Sequence, residues 1–145
     1  MSNLSDALQL KSAHSQLPVT AYFDEALLER EIETLFKKGP RYVGHELMVP
    51  EAGDYFALPS EKEGRVLVRN QTNRIELLSN VCRHRQAIML NGRGHAQNIV
   101  CPLHRWTYDL EGELLGAPHF PDKPCLNLGK SPLQNWQGLL FEAEG

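Results

Sequence analysis

The chain has 145 residues, of which 41% are apolar and 23% charged, and a formal net charge of -3. That is the size of one domain able to bury a core, and the composition excludes a disordered chain, a collagen and a disulfide-stapled miniprotein. The slightly acidic balance gives no long-range attraction to nucleic acid or anionic lipid. No apolar run suits a signal peptide or a bilayer span, so a cytoplasmic protein with reduced thiols is expected.

Residues 1–20 read as a polar, loosely held arm, and residues 21–145 as one domain. In AYFDEALLEREIETLFKKGP the spacing predicts a helix over 24–38, with Leu28, Ile32 and Leu35 on one face and Leu27 and Phe36 beside them. Asp24 caps it, Glu25 suits its first turn, Lys37 and Lys38 suit its last, and Gly39 and Pro40 stop it. The pattern then changes to short strands: RYVGHELMV, DYFAL, RVLVRN, RIELLSNV, AQNIVC, RWTYDL, ELLGA and GLLFEA. Turn signals separate them at 50–53, 71–74, 91–94 and 111–113, and VLVRN with RIELL reads as a hairpin. FPDKPCLNLGKSP, rich in proline, reads as a surface loop. The fold class is all-β, with stacked antiparallel sheets or an open barrel behind one N-terminal helix.

The chemistry concentrates in two short stretches. The chain has three cysteines and six histidines, and four of these nine fall into Cys82-x-His84 and Cys101-x-x-His104, with sixteen residues between the pairs. Each pair sits where a strand gives way to a loop, so two thiolates and two imidazoles converge if the loops are neighbours. Three readings are open here. The residues can be unrelated core side chains. They can be a structural zinc site, which accepts two Cys and two His, although zinc pairs are usually Cys with Cys and His with His. Or they can hold a two-iron, two-sulfur cluster with both cysteines on one iron and both histidines on the other, which explains why each pair mixes sulfur and nitrogen. Cys125, His14, His45, His95 and His119 are set aside as lying outside this constellation.

Cys82-x-His84-Arg85 with Cys101-Pro102-x-His104-x-Trp106 resembles the Rieske pattern of ring-hydroxylating oxygenase large subunits. NVCRHR, IVCPLHRWTYDLEGEL and NWQGLLFEA are similar to the N-terminal Rieske domain of those subunits, over residues from about 22 to 143. The resemblance implies Rieske-type stacked antiparallel sheets with two cluster-binding loops, a [2Fe-2S] cluster on Cys82, His84, Cys101 and His104, and Arg85, Trp106 and Tyr108 as loop and cluster-shielding residues. Two positions depart from the family: Gln86 and Arg105 stand where it usually has glycine, which frees φ beside the cluster. Other Rieske branches clamp the loops with a disulfide. Here Arg83, Arg85, Pro102, Leu103 and Arg105 leave no cysteine for one, which places the potential towards the low end of roughly −150 to +300 mV. Few hydroxyls flank the loops, so backbone N–H groups are expected to supply most hydrogen bonds to the sulfurs. Because neutral imidazoles keep a titratable N–H, the potential is expected to fall with pH once they ionise.

The resemblance also implies one-electron relay from a reductase or ferredoxin donor to a mononuclear iron oxygenase domain, often within a ring of three subunits. No set of two His and a carboxylate remains for that second iron, so the chain is expected to be one domain of a larger oxidoreductase and not itself to complete the reaction. A free-standing Rieske ferredoxin is the alternative, and zinc the lesser one. Arg83, Arg85 and Arg105 are also positioned to line a docking rim for an acidic partner.

Overall fold

The computed structural model describes residues 17–36, 38–59, 64–122 and 124–143. They form two compact units, divided between Lys38 and Gly39. Most of the expected polar arm, residues 1–16, lies outside the described residues, as does Lys37.

The first unit holds a 3₁₀ turn over Val19–Phe23 and helix α1 over Glu25–Glu31. The Asp24 carboxylate accepts from the N–H groups of Ala26 and Leu27, satisfying two donors that a helix start leaves free. The helix expected over 24–38 does not stay α-helical: Ile32–Phe36 winds as a π turn. The Thr34 hydroxyl donates to the Arg30 carbonyl at 2.6 Å, taking the acceptor that an α ladder would give to the Thr34 N–H, and the turn widens. Leu28, Ile32, Leu35 and Phe36 remain exposed.

The second unit is all β. Its strands are β1 Arg41–His45, β2 Asp54–Ala57, β3 Arg65–Arg69, β4 Ile75–Ser79, β5 Arg93–His95, β6 Ile99–Val100, β7 Thr107–Tyr108, β8 Leu114–Gly116, β9 Lys130–Ser131, β10 Leu133–Trp136 and β11 Leu139–Glu142. They pair antiparallel into three sheets, ordered β1-β11-β10, β5-β2-β3-β4-β9 and β6-β7-β8. The expected hairpin is β3–β4, in register from Arg65↔Ser79 to Arg69↔Ile75. Its turn is locked by Asn70, fully buried, whose Oδ1 accepts from the Thr72 N–H and hydroxyl and from the Arg74 N–H.

The unbroken apolar run in β3 has a simple cause. Successive side chains point to opposite faces, and both faces are covered. Val66 and Val68, with Leu78 of β4, enter a core shared with Ile99, Tyr108 and Leu114 of the β6–β8 sheet. Leu67 and Leu77 enter a second core with Val43 and Leu140 of the β1–β11 sheet. The five-stranded sheet is thus the middle layer, and each fully buried Val or Leu contributes about 1.5–3 kcal/mol.

Three strands were not expected. β5 takes up the second half of 91–94, read as a turn, and runs on to His95, because the Asp54–Phe56 edge of β2 is free to pair with it. β9 and β10 lie in and just after the segment read as a loop. Both are short edge strands, and Pro132 between them has no N–H to carry a ladder onward. β1 is shorter than its apolar pattern because the His45 ring accepts from the Leu47 N–H and starts a 3₁₀ turn over Glu46–Met48. Among the described residues no helix is long and apolar enough to cross a membrane.

Candidate functional site

Two loops emerge from the core shared with the β6–β8 sheet. The first follows β4 and is closed by a Val81↔Ile88 bridge; the second joins β6 to β7, closed by Val100↔Thr107. Their hydrogen bonding is the same residue for residue. The Cys82 N–H donates to Ala87 and the Cys101 N–H to Trp106; the Gln86 N–H donates back to Cys82 and the Arg105 N–H to Cys101, all at 2.8–3.0 Å. Each loop therefore begins on a buried cysteine and closes on a residue with left-handed backbone, φ 56° at Gln86 and 59° at Arg105. These are the positions where glycine is usual. The turn is kept without it, at a conformational cost to each side chain of about 1–2 kcal/mol.

The histidine stands third in the first loop and fourth in the second, and this offset lets the two rings meet at 4.7 Å between centroids. Both rings are half-buried, and in both Nδ1 is the buried edge with no hydrogen-bond partner. An unpaired buried imidazole nitrogen is costly unless a further group satisfies it, and a metal is the usual one. Burial, the His104 ring and the Arg85 guanidinium hold His84 below its ordinary value of 6.5, so it is neutral and able to ligate. Cys82 and Cys101 are buried free thiols in the same core. Among the described residues no group of three or more His, Cys, Asp or Glu gathers for a single ion. A [2Fe-2S] cluster asks for something different, two donors on each of two irons, and two thiols with two orphaned imidazole nitrogens fit that demand.

Trp106 is buried and stacks on the His84 ring, centroids 5.0 Å apart and planes 6° from parallel. Its indole N–H also lacks a partner. Tyr108 is fully buried on β7. Its hydroxyl lies 3.7 Å from Cys82 Sγ and accepts from the Arg83 N–H at 3.1 Å. Burial pushes the Tyr108 phenol well above its ordinary value of 10.0, the Arg83 N–H opposes this, and Cys82 and Cys101 add to it. The phenol keeps its proton and is able to donate it towards Cys82 sulfur. A hydroxyl distant from Cys82 in sequence thus stands beside its sulfur, in addition to the backbone N–H groups expected to supply most of the hydrogen bonds there. Arg85 is exposed beside His84.

Two further residues shape the site. Phe120 packs edge-on against both His84 and Trp106, at 5.7 and 5.1 Å. The chain reaches back because His119, exposed, takes a left-handed φ of 70° and hands the next residue to the site. Asn80, 2% exposed, grips the base of the first loop: its Nδ2 donates to the Leu90 carbonyl and its Oδ1 accepts from the Leu90 N–H. The one available signal was a polar residue two positions before Cys82, at the end of an apolar strand pattern. His95 is outside the site, paired to Asp54 at 3.0 Å, and Cys125 is exposed.

Comparison with known proteins gives the same picture. Residues 39–134 match the family model described as the Rieske [2Fe-2S] domain. The chain belongs to the Rieske [2Fe-2S] domain family. Its cofactor is accordingly a Rieske-type [2Fe-2S] cluster. The chain is 74% identical over 144 residues to putrescine 2-hydroxylase of Ralstonia nicotianae, covering 99% of this chain and 39% of that protein. It is 34% identical over 128 residues to biphenyl 2,3-dioxygenase subunit alpha of Rhodococcus jostii, covering 83% and 28%. Among solved structures it is similar to the quaternary ammonium Rieske monooxygenase CntA with L-carnitine, at a TM-score of 0.72 and 29% identity over 86% of this chain and 37% of that one. The chain thus spans less than two-fifths of the curated relatives it matches. It is a Rieske domain of the oxygenase kind, and electron relay is the role that fits it; these matches do not favour a free-standing carrier.

Proposed function

We propose that this chain is the electron-relay domain of an oxygenase that hydroxylates a short aliphatic amine of the putrescine class. Cys82 and Cys101 hold one iron of the cluster and His84 and His104 the other. When bound, the cluster supplies one-electron chemistry, and two neutral imidazoles in place of two thiolates make reduction easier by lowering its negative charge. The chain's own residues do the rest. Cys82, Cys101, Trp106 and Tyr108 are buried and keep water from the sulfur side, while the half-exposed edges of His84 and His104 form the port for electrons. Tyr108 donates to Cys82 sulfur and favours the reduced, more negative state. Arg85, charged beside His84, favours the same state. A reductase or ferredoxin is the donor, and a mononuclear iron domain, held by two histidines and a carboxylate, is the acceptor.

The observation that carries the relay is the pair of buried, unpartnered Nδ1 atoms on rings 4.7 Å apart. The substrate class rests on the 74% identical relative and its name. The test is to supply the full-length protein carrying this domain with reductant, oxygen and either putrescine or biphenyl. Mass spectrometry is expected to show one oxygen added to putrescine only. Oxidation of biphenyl and not putrescine overturns the amine assignment.

A further inference from the structure

Among the described residues neither nitrogen of the His84 ring has a hydrogen-bond partner. His45 and His95 differ: the His45 Nδ1 accepts from the Leu47 N–H and the His95 Nδ1 pairs with Asp54, so a polar bond fixes each of those rings. Without one, the torsion that turns an imidazole about Cβ–Cγ is soft and roughly two-fold, and a half-turn puts a carbon where Nδ1 stands. A ligating histidine ordinarily avoids this by donating its outer N–H to a carboxylate, carbonyl or water. His84 has rings instead. Trp106 stacks on it and fixes its plane, but a flat stack meets both flips alike. Phe120 stands nearly perpendicular to both members of that stack, 89° to His84 at 5.7 Å and 84° to Trp106 at 5.1 Å. A flip must swing the imidazole out of the stacked plane. Phe120 and the His104 ring, edge-on at 4.7 Å, stand against that swing.

Phe120 is 43% exposed, so burial alone does not hold it there. Its backbone does. Pro118 and Pro121 bracket the pair His119-Phe120, His119 takes a left-handed φ of 70°, and the Phe120 N–H donates to the Ala117 carbonyl at 3.2 Å. A proline fixes its own φ and disfavours the helical region for the residue before it, so Phe120 has few conformations to lose. Resting on the cluster assignment above, we infer that Phe120 is a positioning residue: it holds the His84 ring in the rotation that turns Nδ1 to the iron, in place of the hydrogen-bonded partner that a ligating histidine ordinarily has. Among the described residues the His104 ring makes no aromatic contact with Phe120, so His84 alone of the two histidines is held in this way.

The test uses the cluster-loaded chain after one-electron reduction. Pulsed electron paramagnetic resonance reads the coupling of each ligating imidazole nitrogen to the reduced cluster, and that coupling depends on how the ring is turned. Wild type is expected to show two sharp histidine couplings. Phe120→Ala is expected to broaden or shift one of them and leave the other unchanged, and to release iron to a chelator about tenfold faster, the scale of lost aromatic edge contacts. Phe120→Tyr keeps the ring and is expected to restore both couplings, with iron release within about twofold of wild type. Trp136→Phe, an exposed aromatic on β10 outside the site, is expected to change neither coupling. Two unchanged couplings in Phe120→Ala overturn the positioning role. So do two couplings altered alike, even with faster iron release, because a general loosening of the site does not pick out one ring. A wild-type cluster with no histidine coupling sinks the ligand assignment itself. Should Phe120→Ala load no cluster, Phe120→Leu, which keeps apolar bulk without a flat edge, decides by the same spectrum: one altered coupling supports the role, and none or two overturn it.

Discussion

Replacing Tyr108 with Phe removes one hydroxyl and almost no volume from the buried wall of the site. That hydroxyl has two partners, Cys82 Sγ at 3.7 Å and the Arg83 N–H at 3.1 Å. Reduction would add one negative charge to the cluster that Cys82 would ligate, so a bond of neutral strength, about 0.5–1.5 kcal/mol, moves towards the charged range of about 1.5–3 kcal/mol. The difference, about 1 kcal/mol, is what the hydroxyl contributes to favouring reduction. For one electron this corresponds to about 40 mV. Tyr108→Phe is therefore expected to lower the potential by roughly 40 mV. It also leaves the Arg83 N–H without its acceptor, at a cost to stability of about 1 kcal/mol. Protein-film voltammetry measures the first, and urea unfolding the second. The visible spectrum establishes that the cluster is fully loaded. A loaded variant whose potential is unchanged, or higher, refutes the donor role given to Tyr108.

Asn80→Ala removes both bonds between the Asn80 side chain and Leu90 and is expected to cost about 2–3 kcal/mol, with faster cluster loss as the first loop loosens; urea unfolding and absorbance decay check this. Gln86→Gly and Arg105→Gly relieve left-handed backbone at φ 56° and 59° but add freedom to the unfolded chain. Each is expected to raise stability by a net of about 0.5–1 kcal/mol in the same assay, and a loss at either site contradicts the turn geometry. For Asp54 the sign follows from its lowered pKa, caused first by the Glu51 N–H and then by His95. Its stabilisation is present above its ordinary 3.8 and is lost as pH falls through the lower folded value. Asp54→Asn is expected to flatten the acid limb of a denaturation curve below about pH 4; an unchanged limb contradicts it.

Which features were legible in the sequence follows from how local their signals are. The β3–β4 hairpin showed because both its faces are apolar and its turn residues are consecutive. The cysteine and histidine pairs showed because each is set within one loop of a few residues. Phe120 did not, since its contact with His84 depends on a left-handed residue at His119 that no pattern announces. The Tyr108 hydroxyl was hidden for a similar reason: only packing of β7 into the core shared with the loop after β4 brings it to Cys82. β9 and β10 were hidden by their length, being edge strands on either side of a proline. Gln86 and Arg105 teach the converse. A departure from glycine in sequence did not change the backbone, because two hydrogen bonds in each loop fix φ against the side chain's preference.

Iron and acid-labile sulfide analysis of the purified chain, with an electron paramagnetic resonance spectrum after one-electron reduction, tests the assignment of Cys82, His84, Cys101 and His104 most directly. The expected result is about two irons and two sulfides per chain, a red-brown oxidised form and a Rieske-type signal on reduction. A colourless protein with one zinc and no signal, or iron retained after His84 and His104 are both replaced by alanine, contradicts it.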